Sequence, residues 1–112
     1  VQVLLIRINQ SEASQVHYLG RFLFHMDQQW LDRFRDQLDR HHAWPSLYMF
    51  KFIVPHGKED SLKELFPNHT VTQKASKHGN YSSLTVQMML PSSEAVIAIY
   101  LAASKIEGII AL

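Results

Sequence analysis

Seven histidines, His17, His25, His41, His42, His56, His69 and His78, are the side chains best suited to metal or acid-base chemistry in this chain. None stands four residues from another, as the paired ligands of an HExxH helix do, and no metal site is expected. The serines at 82, 83, 92 and 93 lie in no G-x-S-x-G or S-x-x-K frame, so they read as strand and cap residues rather than nucleophiles. No clustered-glycine phosphate loop is present, and Gly57 and Gly79 are isolated turn residues. The cluster with most chemical promise is Lys74, Lys77 and His78 beside Asn80 and Tyr81, where basic side chains and turn amides could hold an anion. The same composition also makes an ordinary solvated hairpin, and that is the preferred reading. No catalytic residue, cofactor or metal ligand is assigned.

Composition narrows the classes further. A chain of 112 residues, 46% hydrophobic and 19% charged, can build one cored domain and is too apolar for disorder. A net charge of +1, with Lys and Arg interspersed among Asp and Glu, gives no strong field for a phosphate backbone, so nucleic acid is disfavoured. Lack of cysteine removes disulfides and thiolate chemistry and fits a reducing compartment, from which a cytoplasmic location is expected. The run Val1 to Ile8 is interrupted by Gln2 and Arg7, reads poorly as a signal peptide and is too short to span a bilayer, so no membrane association is expected.

The elements that would position these residues begin late. Residues 1–25 carry apolar residues without sustained period, and the first residue is Val, so the working protein is expected to start at Met26; a genuine extra strand is the alternative. From Asp27, a cap residue, Leu31, Phe34 and Leu38 recur at helical spacing with Trp30 on the flank, and this helix should end near His41. SLYMFKFIVP then reads as a central strand, with Tyr48, Phe50, Phe52 and Val54 on one face and Leu47, Met49, Lys51 and Ile53 on the other. Lys51 is costly to bury unpaired, so the aromatic face should meet the helices.

A short helix carrying Leu62, Leu65 and Phe66 follows an acidic opening turn and stops at Pro67. Strands over Thr70 to Ala75 and Tyr81 to Leu90 flank a turn in which Gly79 needs positive φ. The second has Leu84, Val86, Met88 and Leu90 facing the core and Ser83, Thr85 and Gln87 facing away. Pro91-Ser92-Ser93-Glu94 opens a helix with the stripe Val96, Ile99, Tyr100 and Ala103, and Gly108 breaks it before a last strand, 109–112. The order predicts an α+β, ferredoxin-like βαββαβ sandwich over residues 26–112, with a four-stranded antiparallel sheet and a leader amphipathic helix.

FKFIVP at 50–55, QKASKHGNYSSLTV at 73–86 and KIEGIIAL at 105–112 resemble the YbeD-like family of small bacterial proteins of unknown function, over roughly residues 27–112. The resemblance implies a fold similar to the ACT regulatory domains of amino-acid enzymes. Because some members are labelled lipoate-regulatory proteins from genomic context, it also implies a cytosolic regulatory or adaptor role. It identifies no catalytic residue.

The function expected is therefore binding of a protein partner or a small regulatory ligand, with homodimerisation as a further mode. The leading surface is the polar sheet face with Lys51, Thr72, Ser83, Thr85 and Gln87, joined by Lys74, Lys77, His78, Asn80 and Tyr81 at the hairpin. The leader helix is expected to cover part of that face through Leu47, Met49, Ile53 and Met89, and edge pairing as in ACT-like dimers is the competing mode. Two other classes share the topology. An acylphosphatase-like hydrolase would need an arginine in the loop Pro55-His56-Gly57-Lys58, which has none. An RNA-recognition domain would need aromatic rings where Ser83, Thr85 and Gln87 stand.

Overall fold

The computed structural model describes residues 5–7, 16–18 and 28–112, with side chains at 29 and from 31 onward. His25, Met26 and Asp27, with the side chains of His17 and Trp30, lie outside the described residues.

Alternating apolar side chains build the two long strands that dominate the fold. β3 (Ser46–Pro55) and β5 (Tyr81–Leu90) pair antiparallel along their whole length, Ser46 opposite Leu90 and Pro55 opposite Tyr81. β4 (Thr72–Ala75) adds to the far side of β5, and β6 (Ile110–Ala111) adds antiparallel to the free side of β3. The order β6-β3-β5-β4, with α2 (Glu59–Lys63) and α3 (Ser93–Ala103) as crossovers, is the ferredoxin-like arrangement that the chain pattern predicts.

The sheet continues past the expected four strands. β1 (Leu5–Arg7) pairs parallel with β6, and β2 (Val16–Tyr18) pairs antiparallel with β1, giving six strands among the described residues. A free β6 edge presents unpaired backbone groups, and the Val-, Leu- and Ile-rich start of the chain has the composition to pair with it.

Two turns that border the sheet depend on glycine. Gly79 has φ 74° in the β4–β5 turn, as the turn chemistry predicts. Gly108 has φ 79°, and a Cβ there would lie 2.7 Å from the Pro55 ring, so both conformation and close approach demand glycine.

The core lies between one sheet face and the helices. Phe50, Phe52, Val54, Leu84 and Val86 point into it from the sheet, and Leu62, Phe66, Val96, Tyr100 and Ile109 close over them. Phe52 sits among rings, with centroids 5.9 Å from Phe50, 6.4 Å from Phe66 and 5.9 Å from Tyr100. α3 starts at a Ser92 cap, whose Oγ accepts from the Ala95 amide at 3.2 Å. In that helix Ile97, rather than the expected Ile99, is buried, and Ile99 is partly buried against the same core.

α1 (Gln28–His41) requires a correction. Its stripe does not cover the outer sheet face but joins the helix layer: Phe34 and Leu38 are buried, and the Phe34 ring lies 5.7 Å from that of Tyr100 on α3. The Arg35 guanidinium meets the Glu94 carboxylate at 2.9 Å, fixing α1 to the first turn of α3. The helix side offers aromatic rings for Phe34 to pack against, whereas Lys51 interrupts the apolar set on the outer face.

Candidate binding face

The outer sheet face follows from strand register. Residues of β3 with odd numbers, Leu47 to Pro55, look away from the helices, and their β5 partners are Met89, Gln87, Thr85, Ser83 and Tyr81. β4 continues two of these rows, Thr72 beside Thr85 and Lys74 beside Ser83. On the other side Ile110 lies beside Ile53, and the Leu112 amide donates to the Lys51 carbonyl at 2.8 Å. The register thus places the expected residues Lys51, Thr72, Lys74, Ser83, Thr85 and Gln87 on one surface, with Tyr81 at its end.

The remaining expected residues separate. Lys77 joins Lys74, Ile53, Tyr81 and Ser83 around an open groove of about 480 Å³ at the hairpin end. The hairpin is closed by the Ser76 amide donating to the Tyr81 carbonyl at 2.8 Å and by the Tyr81 amide donating to the Ser76 hydroxyl at 3.2 Å. His78 and Asn80 are exposed on the turn and do not line the groove; the Asn80 carbonyl instead accepts from the His56 amide at 2.9 Å.

Three apolar side chains complete the face. Leu47, Met49 and Met89 are 56%, 54% and 59% exposed, and they adjoin through the Leu47–Met89 and Met49–Gln87 pairs. The sequence pattern offers them to α1, which the structure places elsewhere. With α1 on the helix side, they form an exposed apolar end to a face whose middle rows carry Lys51, Thr85 and Gln87.

Two polar arrangements lie away from this face. Glu59 was not singled out from the sequence. Its Oε2 accepts from the buried Ser82 hydroxyl at 2.7 Å, and its Oε1 accepts from the Gly57 amide at 2.7 Å. The Ser82 hydrogen bond is the main reason its carboxyl is pulled down to about 2, with the Gly57 amide and the nearby His56 ring contributing. The Glu59–Ser82 pair ties the start of α2 to β5 inside the helix layer. The acidic opening turn of α2 was its only sequence signal.

The second is an aromatic run. The Tyr48 and Tyr100 hydroxyls lie 2.8 Å apart, and burial raises the pKa of both phenols, Tyr100 well above the ordinary value. His42 stacks on Trp44 with centroids 5.2 Å apart, and burial followed by the neighbouring His41 lowers its pKa. The Trp44 indole donates to Asp39 at 2.7 Å, closing the α1–β3 connection. These contacts link α1, β3 and α3. Among the described residues no three His, Asp or Glu side chains converge as a metal set, and no helix is long and apolar enough to cross a membrane.

The fold and surface define a class, a ferredoxin-like α+β domain with helices on one side of its sheet and a mixed face on the other that no described element covers. Residues 39–112 match the family described as "Protein of unknown function (DUF493)", the family of YbeD, and the chain belongs to it. The match covers β3 to β6 and the end of α1, and nothing in it points to an enzyme. No curated protein and no solved structure matches the chain.

Proposed function

We propose that this chain is a non-catalytic regulatory or adaptor domain, acting by association with a protein or small ligand through its outer sheet face. The observation that carries the reading is the exposed Leu47–Met49–Met89 group, continuous with Lys51, Thr85 and Gln87 on one face of the paired strands β3 and β5. An antiparallel sheet can keep one face in water, but that use favours polar residues, whereas contiguous apolar side chains favour contact with another molecule. Edge pairing in the manner of ACT-like dimers has less support. β4 is short, fully exposed and carries Lys74, a combination that discourages strand addition. A cytoplasmic site of action suits a chain without cysteine.

The test immobilises the full chain and compares captured proteins and small molecules, by mass spectrometry, with those held by a Thr85→Glu/Gln87→Glu variant and a helix-side control, Lys105→Ala. The reading expects specific species lost from the face variant, kept by the control, with melting temperatures close to wild type. Capture unchanged by the face substitutions would eliminate the open-face mode. Turnover of an acyl phosphate by purified protein would overturn the non-catalytic reading.

A further inference from the structure

We infer that the occupant of the outer face is an acidic amphipathic protein segment, seated with apolar side chains on the Leu47–Met89 end and carboxylates over Lys51 and Lys74. The inference rests on the binding reading above and gives the partner a chemical class. Its first support is charge segregation. The outward positions of β3, β4, β5 and β6 carry two charged side chains, Lys51 and Lys74, both cationic, and Lys77 lines the groove at their hairpin end. Every described carboxylate lies instead on α1, α2, α3 or a turn beside them, where cations are mixed in, as in the Arg35–Glu94 and Arg40–Asp36 pairs. A chain of net charge +1 thus presents a face with no negative side chain among its described residues.

Geometry sets the spacing such a partner must match. Leu47 and Lys51 are four residues apart on one strand, about 13 Å, and Lys74 lies two strands and two residues from Lys51, about 12 Å away. A helix rising 1.5 Å per residue covers about 13 Å in nine residues, so a segment of three to four turns places an apolar cluster at one end and carboxylates at the other. Met49 and Met89 give the apolar end adaptable surfaces that accept varied aliphatic shapes.

The other occupants fit less well. A second copy placed face to face on a two-fold axis would set cations against cations, with no acidic side chain among the described residues of that face to answer them. Single-stranded nucleic acid needs rings on which to stack bases, and the centre of the face offers Ser83, Thr85 and Gln87.

The experiment titrates the isotope-labelled full chain with a synthetic helix of about 16 residues, carrying leucines in one half and glutamates on the same face in the other. A lysine-for-glutamate version and a scrambled version are the controls. The inference expects amide shifts confined to the outer face, at Leu47, Met49, Lys51, Thr72, Lys74, Thr85, Gln87 and Met89, and binding about tenfold weaker with Lys51→Glu. Affinity should also fall between about 50 and about 500 mM salt. Thr85→Lys should keep or strengthen binding, while Thr85→Glu weakens it. No binding, equal binding of the lysine version, or shifts centred on the helix layer overturns the inference. So does tighter binding of single-stranded RNA or anionic vesicles to the same face, or self-association that Lys51→Glu enhances. Failure here is separable from failure of the broader reading: a captured species lost equally from Thr85→Glu and Thr85→Lys would keep the open face and reject its acidic partner.

Discussion

Phe52 and Met49 share β3 and look to opposite sides of the sheet, so truncating each tests which side holds the core. Phe52 is 0% exposed with three rings around it, and Met49 is 54% exposed. Phe52→Ala removes a ring that burial stabilises by about 1.5–3 kcal/mol, and it adds a cavity that Phe50, Phe66 and Tyr100 can fill only in part. The combined cost is about 3–5 kcal/mol, a large share of the 5–15 kcal/mol typical of domain stability. At about 4 °C per kcal/mol for a domain of this size, the melting temperature should fall by about 12–20 °C. Met49→Ala should change stability by no more than about 0.5 kcal/mol. Urea unfolding followed by tryptophan fluorescence, with a common slope for both variants, gives the two values. A Phe52→Ala loss below about 1 kcal/mol, or a Met49→Ala loss equal to it, would refute the face assignment.

Other expectations follow from single contacts. Glu59 has its carboxyl lowered from 4.5 to about 2, so its stabilising effect is full above pH 4.5 and lost as pH falls through 2. Glu59→Gln should therefore reduce the fall in melting temperature between those pH values, and an unchanged pH profile would contradict this. Tyr48→Phe leaves the buried Tyr100 hydroxyl without its partner and should cost about 1–3 kcal/mol, while the Tyr48→Phe/Tyr100→Phe double variant should cost less than the sum of the singles. Gly79→Ala has open space around it and should cost about 1–2 kcal/mol from backbone conformation alone. Gly108→Ala adds the clash with Pro55 and should cost more; equal losses in the two would show that the Pro55 contact relaxes freely.

The central strands were legible because their pattern repeats over ten residues and a lysine marks the outward side. Tyr48 to Val54 and Leu84 to Leu90 could each bury only one way without burying Lys51. The placement of α1 was not legible. Leu31, Phe34 and Leu38 specify an apolar stripe, but not which sheet face receives it, and the choice rests on the distant rings of Tyr48 and Tyr100. α3 is apolar on nearly every side, so helical period alone could not choose Ile97 over Ile99 for the core. β1 and β2 are three residues each, too short for alternation to register. Most of the candidate face could be read because alternation lists its members, while its apolar end was obscured by the assignment of α1. The Glu59–Ser82 link joins residues 23 apart and exists only once α2 has docked on the sheet.

The most direct test of a binding role for the outer face is amide-shift mapping of the labelled full chain with the species it captures from its own cell extract, once purified. The account predicts perturbation along the rows Leu47–Met89, Met49–Gln87 and Lys51–Thr85, lost in the Thr85→Glu/Gln87→Glu variant while the unbound spectrum stays folded. Perturbation centred on α1 and α3, or binding undiminished in that variant, would contradict it.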